Sequence, residues 1–363
     1  MKVYLMLFIL FHVTQRGNSQ ATVSNIEDLK ISMIENAMKV HMETFDTPAL
    51  SVVLVKDGQS TFINLGTYDR KSVRKVDEHS IYQIASLSKT FTAIIINNLI
   101  KENILDPSAS INKYLPKYDQ KTLKKFELVT IRHLLHHQSG IQRDSRILLK
   151  MRKGNGDFQY NYSSDDFDME LQKYKLKHAP GSKYMYSNFG YALLGYIAEL
   201  STGSSYESLL NKYVTNNLKT TVTSSIIQDA NRMVTAYRKD RKQTIILPMV
   251  MGKLTPPSGL FTSTADLSKL LIKQIDDYNN DRDSPLILSE DNIVHHEESK
   301  TAYGYGFRIF GDSGALGHGG EMDGYSSFYS IKPKDKWGVA ILSSSNGDEL
   351  VGLWQNVYSI MNK

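Results

Sequence analysis

The stretch from Ile81 to Ile100 sets the first constraint on this chain. Phe91, Ala93, Ile94, Ile95, Ile96, Leu99 and Ile100 make it apolar nearly all round at helical spacing, and a helix of that kind has to be buried inside a larger protein. Ser86 and Lys89 stand at its start. Residues i and i+3 lie on one helix face, so the amine can approach the hydroxyl. A serine hydroxyl is a poor nucleophile unless a base stands beside it, and a lysine among carbons and methyls loses its proton more easily than one in water. The plainer alternative is a helix N-cap serine with a surface lysine. The same Ser-x-x-Lys spacing recurs at Ser72–Lys75, inside a charged run, and at Ser110–Lys113, just ahead of the turn signal Tyr114-Leu115-Pro116. Of the three, Ser86 alone opens a buried helix.

With 363 residues, 41% of them hydrophobic, the chain can build one large or two intimately packed domains with a substantial core. The net charge of +5 is modest and the lysines are scattered among acids, which argues against a nucleic-acid partner. No cysteine is present. That removes disulfides, thiol nucleophiles, Cys-ligated metals and a lipid-modified N-terminal cysteine together. Met1-Lys2, the apolar run Val3–Val13 and the small residues Gly17 and Ser19 read as a signal peptide over 1–19, cleaved after Ser19, with 20–363 as the mature chain. The run is too short for a bilayer, which needs about 20 apolar residues; a retained anchor is the alternative. No other stretch could span a membrane, so the expected location is secreted or periplasmic.

Along the chain, apolar residues at steps of three and four predict a helix over Val23–Thr44. Ala49–Gly66 reads as two strands joined by Asp57-Gly58, a strong hairpin signal. Thr130 caps a short helix that Gly140 stops; its His133, His136 and His137 lack an accompanying acid and are read as structural or surface histidines, with no metal site. Asp144–Lys177 is a polar, tyrosine-rich excursion with some helix, and Asn161-Tyr162-Ser163 is a glycosylation sequon only if the protein is a secreted eukaryotic one. Tyr186-Ser187-Asn188 falls on the loop entering an apolar helix ended by Gly203. Ser263-x-x-Asp266 has capping-box form. The last third is strand-rich, with runs Tyr303–Phe310, Tyr325–Ile331 and Trp337–Ser343, and a helix over Leu350–Met361 closes the chain. Between the first two runs, five glycines from Gly314 to Gly324 surround His318, either as a loose hairpin connection or as backbone kept bare to approach a ligand.

Ser86-x-x-Lys89, Tyr186-x-Asn188 and His318-Gly319-Gly320 stand in that order. Here the sequence resembles the serine β-lactamase and penicillin-binding protein superfamily, in its class C branch, which also holds D-Ala-D-Ala carboxypeptidases, D-aminopeptidases and carboxylesterases. The likeness runs from about residue 25 to 358 and includes Ile84–Thr92, Leu105-Asp106-Pro107, Ile111–Pro116, Thr130–Ile141 and Ser258–Leu267. It implies an α+β, β-lactamase/transpeptidase-like fold: an antiparallel sheet made from both chain ends, flanked by helices, with a mostly helical lobe inserted and the cleft between them. It also implies that Ser86 forms an acyl-enzyme, that Lys89 and Tyr186 share its proton, and that Asn188 binds the substrate amide. The backbone N–H groups of Ser86 and Glu321 would form the oxyanion hole, with no metal or cofactor. The departure is at His318-Gly319-Gly320, where the familiar lactamases carry Lys-Thr-Gly. An unperturbed histidine titrates near ~6.5, so binding of acidic substrates is expected to weaken as pH rises through that value and strong β-lactamase activity is not expected. The implied function is a secreted serine hydrolase acting on D-amino-acid peptides, β-lactams or esters, with a small molecule or peptide as its partner. The alternative is a catalytically idle binding or self-assembling relative. Nothing in the sequence sets the oligomeric state.

Overall fold

Asp57-Gly58 turns the chain between strands β1 (Ala49–Lys56) and β2 (Gln59–Gly66), with Asp57 and Gly58 both at positive φ, as a tight hairpin of this kind requires. The computed structural model describes residues 18–147, 149, 161–238, 244–286, 293–296, 301–310, 313–347 and 350–362. All but the last two residues of the expected leader lie outside that set. Helix α1 spans Asn18–Phe45, longer than the periodicity over Val23–Thr44 indicated.

Among the described residues the main sheet has eight strands, all neighbours antiparallel. Besides β1 and β2 these are β3 (Val294–His296), β4 (Thr301–Tyr303), β5 (Arg308–Phe310), β6 (Ala315–Met322), β7 (Tyr325–Lys332) and β8 (Trp337–Ser343). Their spatial order is β2-β1-β8-β7-β6-β5-β4-β3. The N-terminal hairpin therefore joins the C-terminal strands directly, with Leu50 opposite Ser343 and Val53 opposite Ala340.

β1 is a continuous apolar run because both of its faces are covered. Leu50, Val52 and Leu54 pack with Ile341, Trp354 and Val357 under α1 and the closing helix α7 (Leu350–Met361). Val53 and Val55 point the other way, into the larger core beneath α6 (Thr264–Asn280). That larger core runs on into a helical lobe built from α2 (Ser88–Lys101), α3 (Ile131–Leu135), α4 (Ser164–Gln172) and α5 (Asn188–Thr202). The architecture is the α+β one expected, an antiparallel sheet flanked by helices.

Three local expectations change. Tyr303–Phe310 is a hairpin rather than one strand, because Gly306 takes φ +77° and Gly304 N–H donates to Phe307 O across the turn. The glycine-rich run around His318 is neither loop nor connection but strand β6, paired with β7 along its length. Ser263 does cap α6 by accepting the Asp266 N–H, but the Asp266 carboxylate does not close the box. It turns to accept the backbone N–H groups of Thr221, Val222 and Thr223 at 2.8–3.0 Å. Asp266 is 1% exposed, so removing it would strand the buried N–H groups of Val222 and Thr223 away from water, each an unsatisfied group costing about 1–3 kcal/mol. We expect Asp266→Ala to lower stability by about 3 kcal/mol or more, read from the urea midpoint; a change below about 1 kcal/mol would mean that this loop finds other acceptors.

Candidate active site

Tyr82-Gln83 pairs with Phe261-Thr262, and directly after it the backbone tightens. Ala85 is held at φ +46°, unfavourable for a residue with a Cβ, and Ala85–Leu87 form one 3-10 turn before α2 begins at Ser88. Ser86 thus sits on a strained turn ahead of the helix, one step earlier than the spacing suggested. Lys89, in the first turn of α2, is fully buried. Its Nζ lies 3.1 Å from Ser86 Oγ, 2.7 Å from Asn188 Oδ1 and 2.9 Å from Pro257 O. Side chains on the same helix secure that last carbonyl's segment: Thr92 Oγ1 donates to Pro256 O and Ser88 Oγ accepts from Leu260 N–H.

Burial pushes the Lys89 ammonium well below the ordinary lysine range, with Arg143 adding to the shift and Asp144 opposing it. A neutral amine has two N–H donors and one lone pair. In the neutral form the two shorter contacts, to Asn188 and Pro257, take both donors, and the 3.1 Å contact then gives the lone pair to the Ser86 hydroxyl. Tyr186 lies against the same pair, with Lys89 Nζ 4.8 Å from its ring centre and its hydroxyl bonded to Ser86. Burial raises the Tyr186 phenol above its usual range, so it is a proton carrier held in its neutral form.

Tyr186 and Asn188 are placed by the start of α5. Ser187 caps that helix by accepting Gly190 N–H, while Asn188 N–H donates to Arg143 O. His137, one of the three histidines in the Thr130–Gly140 segment, accepts Ser187 N–H at its Nδ1 and packs its ring 4.3 Å from that of Tyr186. His133 completes the Thr130 capping box and His136 packs beside Tyr305. Among the described residues, no group of three or more His, Cys, Asp or Glu is arranged to hold a metal ion.

β6 forms the opposite wall. A Cβ on Gly320 would meet Ile84 O at 2.4 Å and Ser86 N at 2.8 Å, so glycine here lets the strand touch the serine turn. Ser327 Oγ on β7 pins the same turn by donating to Ile84 O at 2.6 Å. His318 Nδ1 donates to Gly319 O at 2.6 Å, which leaves Nε2 as an acceptor. Burial above all, with the Arg308 cation adding to it, lowers His318 to about 3. The expected titration near ~6.5 is therefore overturned: this histidine is neutral across the physiological range.

Ser86 opens onto a cleft of about 510 Å³ walled by Arg143, Tyr184, Tyr186, Tyr303, Arg308 and the residues His318–Glu321. On the other side of Ser86 is a smaller recess of about 110 Å³, lined among others by Asp144, Asn188, Met249 and Met251. Ser86 and Glu321 line both cavities, Tyr186, His318, Gly319 and Gly320 the larger and Asn188 the smaller, while Lys89 bonds Ser86 and Asn188 from beneath. Ser72 and Ser110, the other two matches to Ser-x-x-Lys, line neither cavity; Ser110 caps a 3-10 turn. Sequence reading missed His137, Arg143, Asp144, Arg308 and Ser327, none of which belongs to a recognisable spacing. Arg308 stacks over Phe310 at 4.4 Å, and its Nε is buried with no hydrogen-bond partner.

A family model described as Beta-lactamase matches residues 34–359. The chain belongs to the beta-lactamase family. Among curated members, Protein flp of Staphylococcus aureus (strain MRSA252) is 27% identical over 327 residues, which cover 87% of this chain and 63% of that protein. A beta-lactamase of Pseudomonas fluorescens is 25% identical over 241 residues, covering 65% of this chain and 62% of that protein. The chain spans under two thirds of the length of these relatives. Two solved structures share its beta-lactamase fold. The octameric penicillin-binding protein homologue from Pyrococcus abyssi has a TM-score of 0.73 at 24% identity, covering 88% of this chain and 74% of that one. The beta-lactamase/D-alanine carboxypeptidase from Pseudomonas syringae has a TM-score of 0.76 at 16% identity, covering 91% and 99%. No described helix of this beta-lactamase family member is long and apolar enough to cross a membrane.

Two measurements check this geometry. Gly320→Ala should leave the fold intact, with an unchanged circular dichroism spectrum, and slow covalent labelling of Ser86 by about 100-fold or more, the usual scale for a lost oxyanion donor; labelling at the wild-type rate would show that β6 does not need its close approach. His318 should give no titrating ring resonance between pH ~5 and ~8 in nitrogen NMR, and a midpoint near the ordinary histidine value would mean that water reaches the ring.

Proposed function

We propose that this protein is a serine hydrolase that cleaves amide or ester bonds through an acyl-enzyme on Ser86. The observation that carries the reading is a fully buried lysine whose Nζ lies 3.1 Å from the Ser86 hydroxyl. Ser86 Oγ attacks the substrate carbonyl carbon as its proton passes to Lys89. The resulting oxyanion lies where the backbone N–H groups of Ser86 and Glu321 can meet it, across the contact that Gly320 permits. When the tetrahedral intermediate collapses, the C–N or C–O bond breaks and Tyr186 passes the proton to the leaving group. Water then enters by the reverse route and releases the acid. The half-buried Tyr186 stands between the lysine and the open cleft, which suits a relay. Asn188 contributes a side-chain N–H to the substrate carbonyl. The chemistry needs no metal or cofactor, and a leader over 1–19 would make the enzyme secreted or periplasmic.

With His318 neutral, the cation facing the larger cleft is Arg308, whose buried Nε lacks an acceptor, supported by Arg143 on the rim. A guanidinium that lines this cleft favours substrates with a carboxylate on that side, as D-amino-acid peptides and β-lactams have and simple esters lack.

Intact-mass spectrometry with a fluorophosphonate and with a fluorescent penicillin should show an adduct that disappears in Ser86→Ala; an adduct that survives would remove Ser86 from the reaction. In a panel of β-lactam, D-aminoacyl and short-ester substrates, Arg308→Ala should raise KM for acidic substrates by about tenfold or more and leave neutral esters within about twofold. Equal changes for both classes would dismiss Arg308 as the anion anchor.

A further inference from the structure

Lys89 keeps its lone pair on Ser86 only while Asn188 presents an oxygen to it, and the Asn188 side chain could face either way. Asn188 Oδ1 accepts from Lys89 at 2.7 Å, and Asn188 Nδ2 donates to Asp144 Oδ1 at 2.7 Å. Reversing the amide would set its NH2 against the Lys89 donors and its oxygen against a carboxylate that has only acceptors. Both ends resist the flip, and the Asp144 end does so because it is an acid.

Asp144 is itself held from three sides. Its backbone carbonyl accepts from Gln142 Nε2. The residues after it, Ser145 and Arg146, bond Glu170 on α4 through Ser145 Oγ at 2.5 Å and Arg146 N at 2.6 Å, and Tyr162 holds the same carboxylate at 2.7 Å. The residue before it, Arg143, gives its carbonyl to the first two N–H groups of α5. Glu170 is 5% exposed, so this is a buried anchor under the loop. This loop is thereby tied to the Asn188 amide through the Asp144 carboxylate.

We propose that Asp144 is the positioning residue of the proton-transfer pair: its carboxylate fixes the Asn188 amide in the orientation that points Oδ1 at Lys89 and leaves one Nδ2 hydrogen for substrate. The inference rests on the serine hydrolase reading. Asp144 touches neither Ser86 nor Lys89 and acts through Asn188.

A second consequence separates this role from mere support of the loop. The ionisable groups facing Lys89 are Arg143 and Asp144 from the preceding loop, Tyr186 and Tyr191 from α5, and His318 from β6, with Arg308 on β5 bearing on His318. Asp144 is the acid among them, and it favours the ammonium form. Lys89 has to be neutral to accept the Ser86 proton, so acylation rises as pH climbs through the lysine titration. Without the Asp144 charge that rise moves to lower pH.

The test is the rate of fluorophosphonate labelling of Ser86 from pH ~5 to ~9 in the full-length wild type and in Asp144→Asn, Asp144→Glu and Asp144→Ala, a range chosen to bracket a lowered lysine value. Asp144→Asn keeps an acceptor oxygen and loses the charge; its acid limb should shift down by about one unit, on the scale of a nearby opposite charge. Asp144→Ala loses both, and its plateau rate should also fall by about tenfold or more. Asp144→Glu should recover most of the wild-type limb. If Asp144→Ala does not fold, the Asn and Glu variants decide. Carbon NMR of the Lys89 Cε, which needs no turnover, should show the same downward shift. A limb and a resonance that stay at the wild-type position in Asp144→Asn, with only the melting temperature lowered, would reduce Asp144 to a loop anchor. A wild type that takes no label would overturn the hydrolase reading itself, while the NMR titration would still report whether Asp144 governs Lys89.

Discussion

Everything in this site depends on keeping one ammonium out of water. A free lysine amine would be charged at neutral pH and could not act as a base. Here the side chain crosses a core of aromatic and aliphatic residues and ends among three acceptors, so the cost of burial falls on the charged form. That requires a helix apolar on nearly every face, a second helix to bring Tyr186 and Asn188, and a strand close enough to shut the cleft from the other side. The large hydrophobic lobe is what disfavours the charged form of this lysine.

The same burial acts on other groups with different results. For Tyr186 it raises the phenol, and for His318 it lowers the imidazole. A phenol and an imidazole held neutral therefore wall a cleft whose positive charge comes from Arg143 and Arg308. Lys89 is held apart from that charge, fully buried beneath Ser86, while the two guanidinium groups line the larger cleft.

Parts of this were legible in the chain and parts were not, for physical reasons. Ser86 with Lys89 could be read because the three-residue spacing and the apolar helix are local facts. The β1–β2 hairpin could be read because Asp57-Gly58 has few other uses, and the N-cap threonine at 130 because capping is a local bond. Strand β6 could not, since its three glycines carry little strand preference and the pairing partner that enforces it lies beyond the next turn. Gly320 is needed for an approach to Ile84 and Ser86, more than two hundred residues away in the chain. Arg308 and Asp144 were silent because their meaning is juxtaposition: each is an ordinary charged residue until folding puts it beside Phe310 or Asn188. The state of His318 depends on how much water remains at one atom, and no spacing records that.

The strand order carries a consequence for how such a chain is made. β1 is flanked by β2, its neighbour in sequence, and by β8, with the Ala49 N–H accepted by Ser344 Oγ across 295 residues. The hairpin is complete early in synthesis, yet one of its edges stays bare until β8 has been made. Loop closure over that span is slow compared with local helix formation, and an apolar strand edge left waiting is a site for wrong pairing. The central sheet can close only after β8 has emerged, and that strand works as the latch that ends the exposure of β1.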